Sequence, residues 1–320
     1  MPMINRREFV ARSTMAGVAS SIAATPFALA QSSGKRRMTI QLSSGAIGVK
    51  ADQRRAIELA GQYGFESVEA YGTTLADVKG DELNKLKDDL SAAGLVWGSS
   101  GLTVQFREDQ ARFEKDLKAL PKVAKGLKRA GVKRVSTWLM PCHNELTYNQ
   151  NFDRHATRLR AVCKILKDQG LTFGMEYVGT TSLLISRKYP FVHTMAEALE
   201  LAEAIGTGNA GLVLDSWHWW QAGDSAEAIE KLDPNLIALV DLNDAPKGVE
   251  KQLQQDNRRE LPLATGVIPI KGFVEALVKI GYDGPVRAEP FNQPLRDLDD
   301  GPACQATISA MRKAFALVGG

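Results

Sequence analysis

Short apolar runs alternate along the chain with longer segments in which apolar residues recur every three or four positions. Runs of this length are typical of buried β-strands. The alternation continues without a low-complexity linker, which indicates one domain. The pattern predicts eight strands, which cover Met38–Ser43, Ser67–Tyr71, Leu95–Leu102, Val132–Leu139, Leu171–Val178, Ala210–Trp217, Ile237–Asn243 and Pro285–Phe291.

The segments between these runs have the periodicity of amphipathic helices, because Leu, Ala, Val and Ile recur at three- and four-residue steps among charged residues. Glycine follows several of them just before the next apolar run, as at Gly64 and Gly131, which is typical of a left-handed helix C-cap. We therefore predict crossover helices, and the clearest are Gln53–Tyr63, Asp81–Ala93, Gln110–Ala130, Phe152–Gln169, Thr194–Ile205 and Ile270–Ile280.

Strands that alternate with helices indicate an α/β fold. Eight strand–helix units favour a (β/α)₈ TIM barrel that occupies residues 31–320 as a single domain. The length exceeds the roughly 250 residues of a typical barrel and leaves room for longer loops. A doubly wound open sheet is the competing architecture. It is disfavoured because no predicted strand is followed by a G-x-G-x-x-G turn and because such sheets usually need fewer units.

The first thirty residues have the pattern of an export signal. The paired arginines Arg6 and Arg7 precede a mildly apolar stretch, Ser13–Phe27, and the small residues Ala28–Ala30 follow it. This arrangement is typical of a twin-arginine signal peptide, and a frayed amphipathic helix is the alternative. We predict that residues 1–30 are such a signal, recognised by the twin-arginine export machinery, and that the mature protein is periplasmic.

Composition excludes several classes of protein. The chain is 44% hydrophobic and 24% charged, and its formal net charge is +3. Such a composition is not that of a disordered chain. After the signal, no apolar stretch reaches the roughly 18 residues of a membrane span, so we expect no stable membrane association. The small net charge predicts no nucleic-acid partner.

Carboxylates stand at the ends of four consecutive predicted strands, at Glu176, Asp215, Asp241 and Glu289. The ends of parallel barrel strands meet at one mouth, so we expect these side chains to converge. Burying several carboxylates together is unfavourable unless a cation compensates them, which predicts a bound divalent metal. Oxygen ligands favour Mn²⁺, with Mg²⁺ as the next choice, and a nitrogen from His218 would extend the range to Co²⁺, Fe²⁺ or Zn²⁺.

Other residues are predicted to bind the substrate. His218 lies in the aromatic segment Asp215–Trp220 and is expected to hydrogen-bond a substrate oxygen beside the metal, with direct ligation as the second choice. Trp217 is predicted to form part of a wall against a sugar, although the tryptophans would also suit the end of the barrel core. Glu69 and His143 are expected to line the pocket; a structural salt bridge and a solvated loop residue are their respective alternatives.

Several motifs together resemble one family. They are Glu176, the D-x-x-H segment Asp215–His218, the segment Asn243–Pro246, the segment Asp256–Pro262, and Glu289-Pro290. The sequence resembles the xylose isomerase-like TIM barrels, a superfamily of sugar isomerases and epimerases that also includes endonuclease IV. The resemblance covers residues 38–317.

The resemblance implies specific roles. One divalent ion would be held at the ends of the fifth to eighth strands, and Glu176 and Glu289 would also move a proton on opposite faces of the substrate. Arg259, or its neighbour Arg258, would bind the substrate. Relatives often form dimers or tetramers, so the resemblance also allows a homo-oligomer.

The sequence departs from the family at the seventh strand, where relatives often have histidine and this chain has Asp241. A fourth carboxylate adds negative charge, which favours a harder cation or raises the pKa of one acid. Asp244 is an alternative ligand, although its position also suits a turn, and we favour Asp241. The segment Leu261–Gly266 also replaces a glycine-rich L-P-G-x-G loop.

We therefore expect an exported sugar or cyclitol isomerase or epimerase that removes a proton next to a carbonyl and forms an enediolate. A lyase or dehydratase that uses the same metal site is the alternative, and a periplasmic sugar-binding barrel without chemistry is a third reading. DNA repair is disfavoured because a multi-zinc nuclease needs many histidines and this chain has 4.

Overall fold

Eleven strands lie in the part of the chain that the computed structural model describes, residues 36–319. They are β1 Thr39–Leu42, β2 Ser67–Val68, β3 Val96–Trp97, β4 Ser99–Gly101, β5 Arg134–Trp138, β6 Cys142–His143, β7 Thr172–Glu176, β8 Tyr189–Pro190, β9 Ala210–Asp215, β10 Ile237–Leu242 and β11 Pro285–Ala288. Nine of them form one sheet in the order β3-β2-β1-β11-β10-β9-β7-β5-β4, and its pairings are parallel.

The sheet closes on itself because its two edges are halves of one segment. β3 and β4 are separated by Gly98, where an added Cβ would lie 1.9 Å from Oε1 of Gln41. The amide of Gly98 donates to the carbonyl of Val68, and the amide of Ala70 donates to the carbonyl of Ser99. β3 and β4 therefore both form hydrogen bonds with β2 or with the residues that directly follow it. The predicted (β/α)₈ barrel is confirmed, with β3 and β4 as its third strand.

Twelve α-helices accompany these strands within the described residues, and the longer ones follow the predicted periodicity. Gly64 and Gly131 have φ values of 74° and 94°, as expected for left-handed caps. The helices are α1 Gln53–Tyr63, α2 Gly72–Asp77, α3 Gly80–Ala92, α4 Gln110–Ala130, α5 Tyr148–Asp168, α6 Thr181–Leu184, α7 Met195–Ile205, α8 Ser216–Ala222, α9 Ala226–Ile229, α10 Ile270–Lys279, α11 Gln293–Arg296 and α12 Asp300–Ala316.

One small element lies outside the barrel sheet. β6 and β8 form an antiparallel pair in which His143 stands opposite Tyr189. The pair joins the segment that follows β5 to the segment that follows α6. Each strand has 2 residues, too few to produce a periodic signal in the sequence.

The core consists of apolar side chains from both faces of the barrel sheet and from the inner faces of the helices. Ile40, Phe173, Leu212 and Val240 are at most 2% exposed. Among residues 36–319, we find no helix with the length and hydropathy of a membrane span. The predicted signal peptide, residues 1–30, lies outside the described residues.

Candidate functional site

Four carboxylates meet at one end of the barrel, as the strand pattern predicts. Glu176 and Asp215 are the last residues of β7 and β9, Asp241 lies near the end of β10, and Glu289 follows β11. One oxygen from each lies within 4.8 Å of the others. We call these four residues the acid cluster. The parallel register produces it directly, because Asp241 pairs with Asp215 on the neighbouring strand.

Arg259 is buried against the acid cluster. Its loop connects β10 to α10, and its NH1 donates to Oδ2 of Asp215 at 2.6 Å. Its NH2 donates to Oδ1 of Asp256 at 2.7 Å, and NH1 lies 3.6 Å from Oε2 of Glu289. Arg258 is exposed. Of the two candidate arginines, the structure therefore places Arg259 in the site.

Arg287, which is not among the residues predicted from the sequence, forms a second ion pair, with the buried Asp241, and is itself partly buried. Its Nε donates to Oδ1 of Asp241 at 2.6 Å, and its NH2 donates to Oδ2 of Asp241 at 3.1 Å. NH2 also donates to Oε1 of Glu289 at 2.9 Å. The sequence does contain a signal for this residue. Side chains alternate between the faces of a strand, and Arg287 precedes Glu289 by two residues, so both point to the same side of the sheet.

Asn243 connects two members of the acid cluster. Its Nδ2 donates to Oδ1 of Asp215 at 2.9 Å, and its Oδ1 accepts from the amide of Glu289 at 2.9 Å. Oδ1 of Asp215 also accepts from the amide of Trp217 at 2.7 Å, so Asp215 is the N-cap of α8 as well as a member of the cluster. Both oxygens of Asp215 therefore have fixed hydrogen-bond partners.

The acid cluster lacks positive charge. Four carboxylates and two guanidinium groups leave a formal charge of two negative, and Arg259 is also shared with a fifth carboxylate, Asp256. Burial, and then the neighbouring carboxylates, raise the pKa of Glu176 well above its ordinary value. Burial also raises the pKa of Glu289 to about 7 and raises that of Asp241, although Arg287 opposes both shifts. Protons or a cation must supply the missing charge.

A divalent cation fits this residue set. It would supply two of the missing positive charges, and Oε1 of Glu176 is buried with no hydrogen-bond partner. Asp215 and Asp241 already accept hydrogen bonds from Arg259 and Arg287. A cation would therefore share these two carboxylates with the arginines, whereas Glu176 offers an oxygen without competition. The acid cluster is a candidate divalent-metal site on this basis.

Asp244, the alternative ligand on the seventh barrel strand, lies outside the acid cluster. Its two carboxylate oxygens accept hydrogen bonds from the backbone amides of Ala245, Thr265, Gly266, Val267 and Ile268. It therefore fixes the two ends of the long loop that carries Arg259. Asp241, not Asp244, lies next to the other three acids.

His218 lies in the first turns of α8, within reach of the acid cluster. Its Nε2 accepts a hydrogen bond from NH2 of Arg259 at 3.1 Å and lies 3.7 Å from Oε1 of Glu176. Burial, followed by the charge of Arg259, lowers its pKa to about 4, so the ring is neutral at pH 7. The same ring also groups with Glu176 and Asp215 as a set of metal ligands. Because Nε2 already accepts from Arg259 and Nδ1 lies 3.5 Å from Oγ1 of Thr180, either predicted role requires one of these contacts to be exchanged.

The structure places Trp217 in the core, which is the alternative given for the tryptophans of its segment. Its side chain is 0% exposed, and its Nε1 donates to Oγ1 of Thr180 at 2.9 Å. The Arg259 guanidinium lies 5.4 Å from the centre of its ring. Because α8 begins at Ser216, directly after β9, the ring turns into the core instead of facing a ligand. The Trp217 ring therefore packs near the Arg259 guanidinium on the core side of the site.

Two cavities border the acid cluster, and Glu176, Glu289 and Trp138 line both of them. The inner cavity has a volume of about 300 Å³, and its polar lining includes Gln105, Arg107, Ser136, Thr137 and Arg287. The apolar cavity has a volume of about 450 Å³, and its lining includes Met140, Val178, Leu183, His218, Asp256, Arg259 and Phe291.

The remaining two predicted residues lie at the edges of the site. Glu69 is partly buried near Arg287 and Glu289, and desolvation raises its pKa, but it does not line either cavity. His143 lines a third cavity, which shares Arg107 and Trp138 with the inner one. Of these two residues, His143 borders a cavity next to the site, and Glu69 lies near Arg287.

The chain is similar to known proteins both in sequence and in structure. The chain is 28% identical over 166 residues to an inosose isomerase of Halalkalibacterium halodurans, a match that covers 50% of this chain and 55% of the relative. The chain thus spans about half the length of the curated relatives it matches. A xylose isomerase domain protein of Alicyclobacillus acidocaldarius has a TM-score of 0.78 and 28% identity over 88% of this chain and 100% of that one.

A second solved structure, the IOLI protein with a bound zinc atom, has a TM-score of 0.72 and covers 87% of this chain and 98% of its own. At 19% identity, this likeness shows the fold alone. Residues 57–314 match the family model described as the xylose isomerase-like TIM barrel. The barrel, its cluster of strand-end acids and this match agree, and the chain belongs to the xylose isomerase-like TIM barrel family.

Proposed function

We propose that this protein is a divalent-metal-dependent isomerase or epimerase of a sugar or cyclitol, and that it removes a proton from a carbon next to a carbonyl. The observation that carries the proposal is the position of Glu176 and Glu289. Glu176 is buried and Glu289 is partly buried, both have raised pKa values, and both line the same two cavities. The inosose isomerase relatives support the same class of reaction.

Two coupled carboxylates suit proton transfer in both directions. Like-charge repulsion favours a state in which one of them is protonated while the other is ionised. The ionised one can remove a proton, and the protonated one can return a proton. β9 and β10 separate β7 from β11 in the sheet, so Glu176 and Glu289 approach the cavities from different sides of the barrel. This arrangement suits inversion at one carbon.

When bound by Glu176, Asp215, Asp241 and Glu289, a divalent cation would polarise the carbonyl of the substrate and stabilise negative charge on its oxygen. We propose Mn²⁺ as this ion.

Residues of the apolar cavity position the substrate. His218 and Arg259 line this cavity, and their mutual hydrogen bond would be exchanged for bonds to the substrate: Arg259 would donate to a substrate oxygen, and Nε2 of His218 would accept from a substrate hydroxyl. Trp138 and Phe291 present ring surface that can cover the apolar face of a sugar ring and exclude water from the transferred proton. Return of the proton to the same carbon would give an epimer, and return to the neighbouring carbon would give an isomer.

We also propose that the enzyme is exported. The paired arginines Arg6 and Arg7 and the small residues Ala28–Ala30 support a twin-arginine signal. The N-terminus of the protein purified from the periplasm should then lie near Gln31. A mature N-terminus elsewhere would remove this part of the proposal without affecting the barrel.

The proposed reaction is tested by solvent deuterium uptake. Protein loaded with Mn²⁺ is incubated in D₂O with a panel of ketoses and inososes, and the recovered compounds are analysed by mass spectrometry and NMR. We expect deuterium at the carbon next to the carbonyl with the wild type and with Glu275→Gln, an exposed acid of α10. We expect none with Glu176→Gln. A substrate converted without deuterium uptake would refute the enediolate mechanism.

A further inference from the structure

A third cavity, beside the inner one, has three arginines among its ten lining residues. Its volume is about 340 Å³. We call it the basic cavity and define it by Arg107, Arg154, Arg187 and His143. Glu108 is the one carboxylate in its lining. The basic cavity therefore has a surplus of positive charge directly next to a site with a surplus of negative charge.

The three arginines of the basic cavity have no carboxylate partner within residues 36–319, unlike Arg259 and Arg287, which are ion-paired. Arg107 donates instead to Oγ1 of Thr137 at 2.9 Å and to the carbonyl of Trp138. Arg154 donates to Oδ1 of Asn151 at 3.1 Å. The Nε atoms of Arg107 and Arg154 are buried and have no hydrogen-bond partner. Buried N–H donors without an acceptor destabilise the folded protein, and a bound ligand that accepts these hydrogen bonds would remove this cost.

Acids balance the charges of the basic cavity only in part: Glu176 and Glu108 act on Arg107, Glu145 acts on Arg154, and Arg187 is exposed to solvent. Burial lowers the pKa of Arg107 to about 10 and lowers that of Arg154, for which the neighbouring Arg158 acts in the same direction. Both side chains are still cationic at pH 7. Phe106 and Trp138 each lie 4.3 Å from the Arg107 guanidinium, so their ring faces fix it in place without neutralising its charge.

His143 adds a neutral donor to these cations. Its Nδ1 accepts from the amides of Glu145 at 3.0 Å and Leu146 at 2.9 Å, which places the ring proton on Nε2. Burial lowers its pKa, and Arg154 and Arg187 oppose a second proton as well. The ring therefore offers one N–H donor from a position fixed by the chain.

Two of these donors, Arg154 and His143, lie on regular elements, whereas Arg107 lies in a turn and Arg187 in a bend. Arg154 lies on α5, whose start at Thr147 is fixed by a capping box with Gln150. His143 lies on β6, and Arg187 closely precedes β8, so pairing of these two strands brings both residues to the same cavity. Donors on such elements are better preorganised than donors on free loops.

We propose that the basic cavity binds an anionic oxygen group of the substrate, a carboxylate or a phosphate ester, while the reacting carbon lies at Glu176 and Glu289. Arg107 and Trp138 line both the basic and the inner cavity, so one small molecule can reach both sites. Guanidinium groups recognise such anions through paired hydrogen bonds. The acid cluster repels the same group, so the charge distribution fixes the direction in which the substrate binds. This inference rests on the proposed function.

The test is isothermal titration calorimetry with charged and uncharged probes. Quinate, a cyclic polyhydroxy carboxylate, is compared with myo-inositol, and glucose 6-phosphate is compared with glucose. We expect at least one anion to bind about tenfold more tightly than its neutral counterpart, because hydrogen bonds to charged groups contribute at this level. The anion with the higher affinity shows whether the basic cavity prefers a carboxylate or a phosphate ester. Its affinity should fall as NaCl is raised.

Variants locate the binding. Arg154→Met and Arg187→Met should each weaken the anion about tenfold and leave myo-inositol or glucose unchanged. Lys164→Met is the matched control, because Lys164 is exposed on α5 and does not line the basic cavity. It removes the same charge and should leave all affinities unchanged. Circular dichroism and thermal unfolding verify that each variant is folded.

The outcomes separate this inference from the proposed function. Anion binding that persists in the Glu176→Gln/Glu289→Gln double variant supports the basic cavity, even if no compound takes up deuterium and the proposed function fails. Equal affinities for the charged and neutral probes, no binding of either anion, or unchanged anion affinity in folded Arg154→Met and Arg187→Met would each overturn the basic cavity. None of these three results would affect the proposed proton transfer.

Discussion

The ion pair between Arg287 and Asp241 provides a sharp test of how charge is balanced in the acid cluster. Asp241 is 0% exposed, and both of its oxygens accept hydrogen bonds from Arg287, at 2.6 and 3.1 Å. Arg287→Met removes both bonds and leaves the carboxylate buried without its partner. Breaking a buried pair in this way typically costs about 3–5 kcal/mol. We expect a loss of this size in the free energy of unfolding of the metal-free protein.

The assay is urea unfolding in the presence of EDTA, with the midpoint and the slope both recorded. Arg134→Met is the control, because Arg134 forms a more exposed pair with Asp283, and such pairs contribute about 0–1 kcal/mol. The double variant Arg287→Met/Asp241→Asn should be more stable than Arg287→Met, since it removes the uncompensated charge as well.

Addition of Mn²⁺ extends the test. Without Arg287 the formal charge of the acid cluster changes from two to three negative, so a divalent cation should restore more stability to Arg287→Met than it adds to the wild type. The reasoning would be refuted if Arg287→Met unfolded in EDTA within about 1 kcal/mol of the wild type, or if the double variant were the less stable of the two.

Three further predictions concern single residues. Asp244→Ala removes the acceptor of backbone amides at both ends of the Arg259 loop, so hydrogen exchange at Thr265–Ile268 should be faster than in the wild type, by native-state exchange with mass spectrometry. Trp217→Phe should cost about 1–2 kcal/mol of stability in urea while the affinities for neutral probes stay unchanged, and a large change in those affinities would contradict its buried position. Burial would raise the pKa of Glu197, but hydrogen bonds from His193 and from the α7 cap lower it to about 2. Because the folded-state pKa lies below the unfolded one, about 4.3, this stabilisation is complete above pH 5 and is lost as the pH falls toward 2. Glu197→Gln should therefore destabilise the protein at pH 6 more than at pH 3 in urea unfolding, and an equal effect at both pH values would contradict the shift.

The barrel could be predicted from the sequence because its signal is local and repeated. Each strand and helix carries its own periodicity, and Gly64 and Gly131 mark helix ends with a conformation that glycine adopts readily. The interruption at Gly98 could not be seen, because it arises from the close approach of Gln41, a residue from a different strand.

The acid cluster was also within reach of sequence reasoning, since parallel topology alone brings strand ends together. The ion pairs within the acid cluster could not be predicted from the sequence. Arg287 follows a simple period of two from Glu289, but the sequence does not show that its guanidinium pairs with Asp241 on the neighbouring strand. Trp217 was assigned to a pocket wall because the sequence does not show that α8 begins directly after β9 and turns the ring inward.

The basic cavity was the least predictable feature. Arg107, Arg154 and Arg187 come from three separate segments and share no motif. Only tertiary structure brings them to one cavity, through the start of α5 and the pairing of β6 with β8. His143 was predicted to line a pocket from its position after the fourth barrel strand, but the neighbouring arginines gave no signal of their own.

The central claim is that the acid cluster holds one divalent cation at which Glu176 and Glu289 act on a substrate. The most direct test is the metal content of the folded protein, measured by inductively coupled plasma mass spectrometry together with the Glu176→Gln/Glu289→Gln double variant. We predict about one divalent ion per chain in the wild type, in line with a formal cluster charge of two negative, and loss of that ion in the variant. Absence of metal from both proteins after incubation with excess Mn²⁺, Co²⁺, Zn²⁺, Fe²⁺ and Mg²⁺ would contradict the claim.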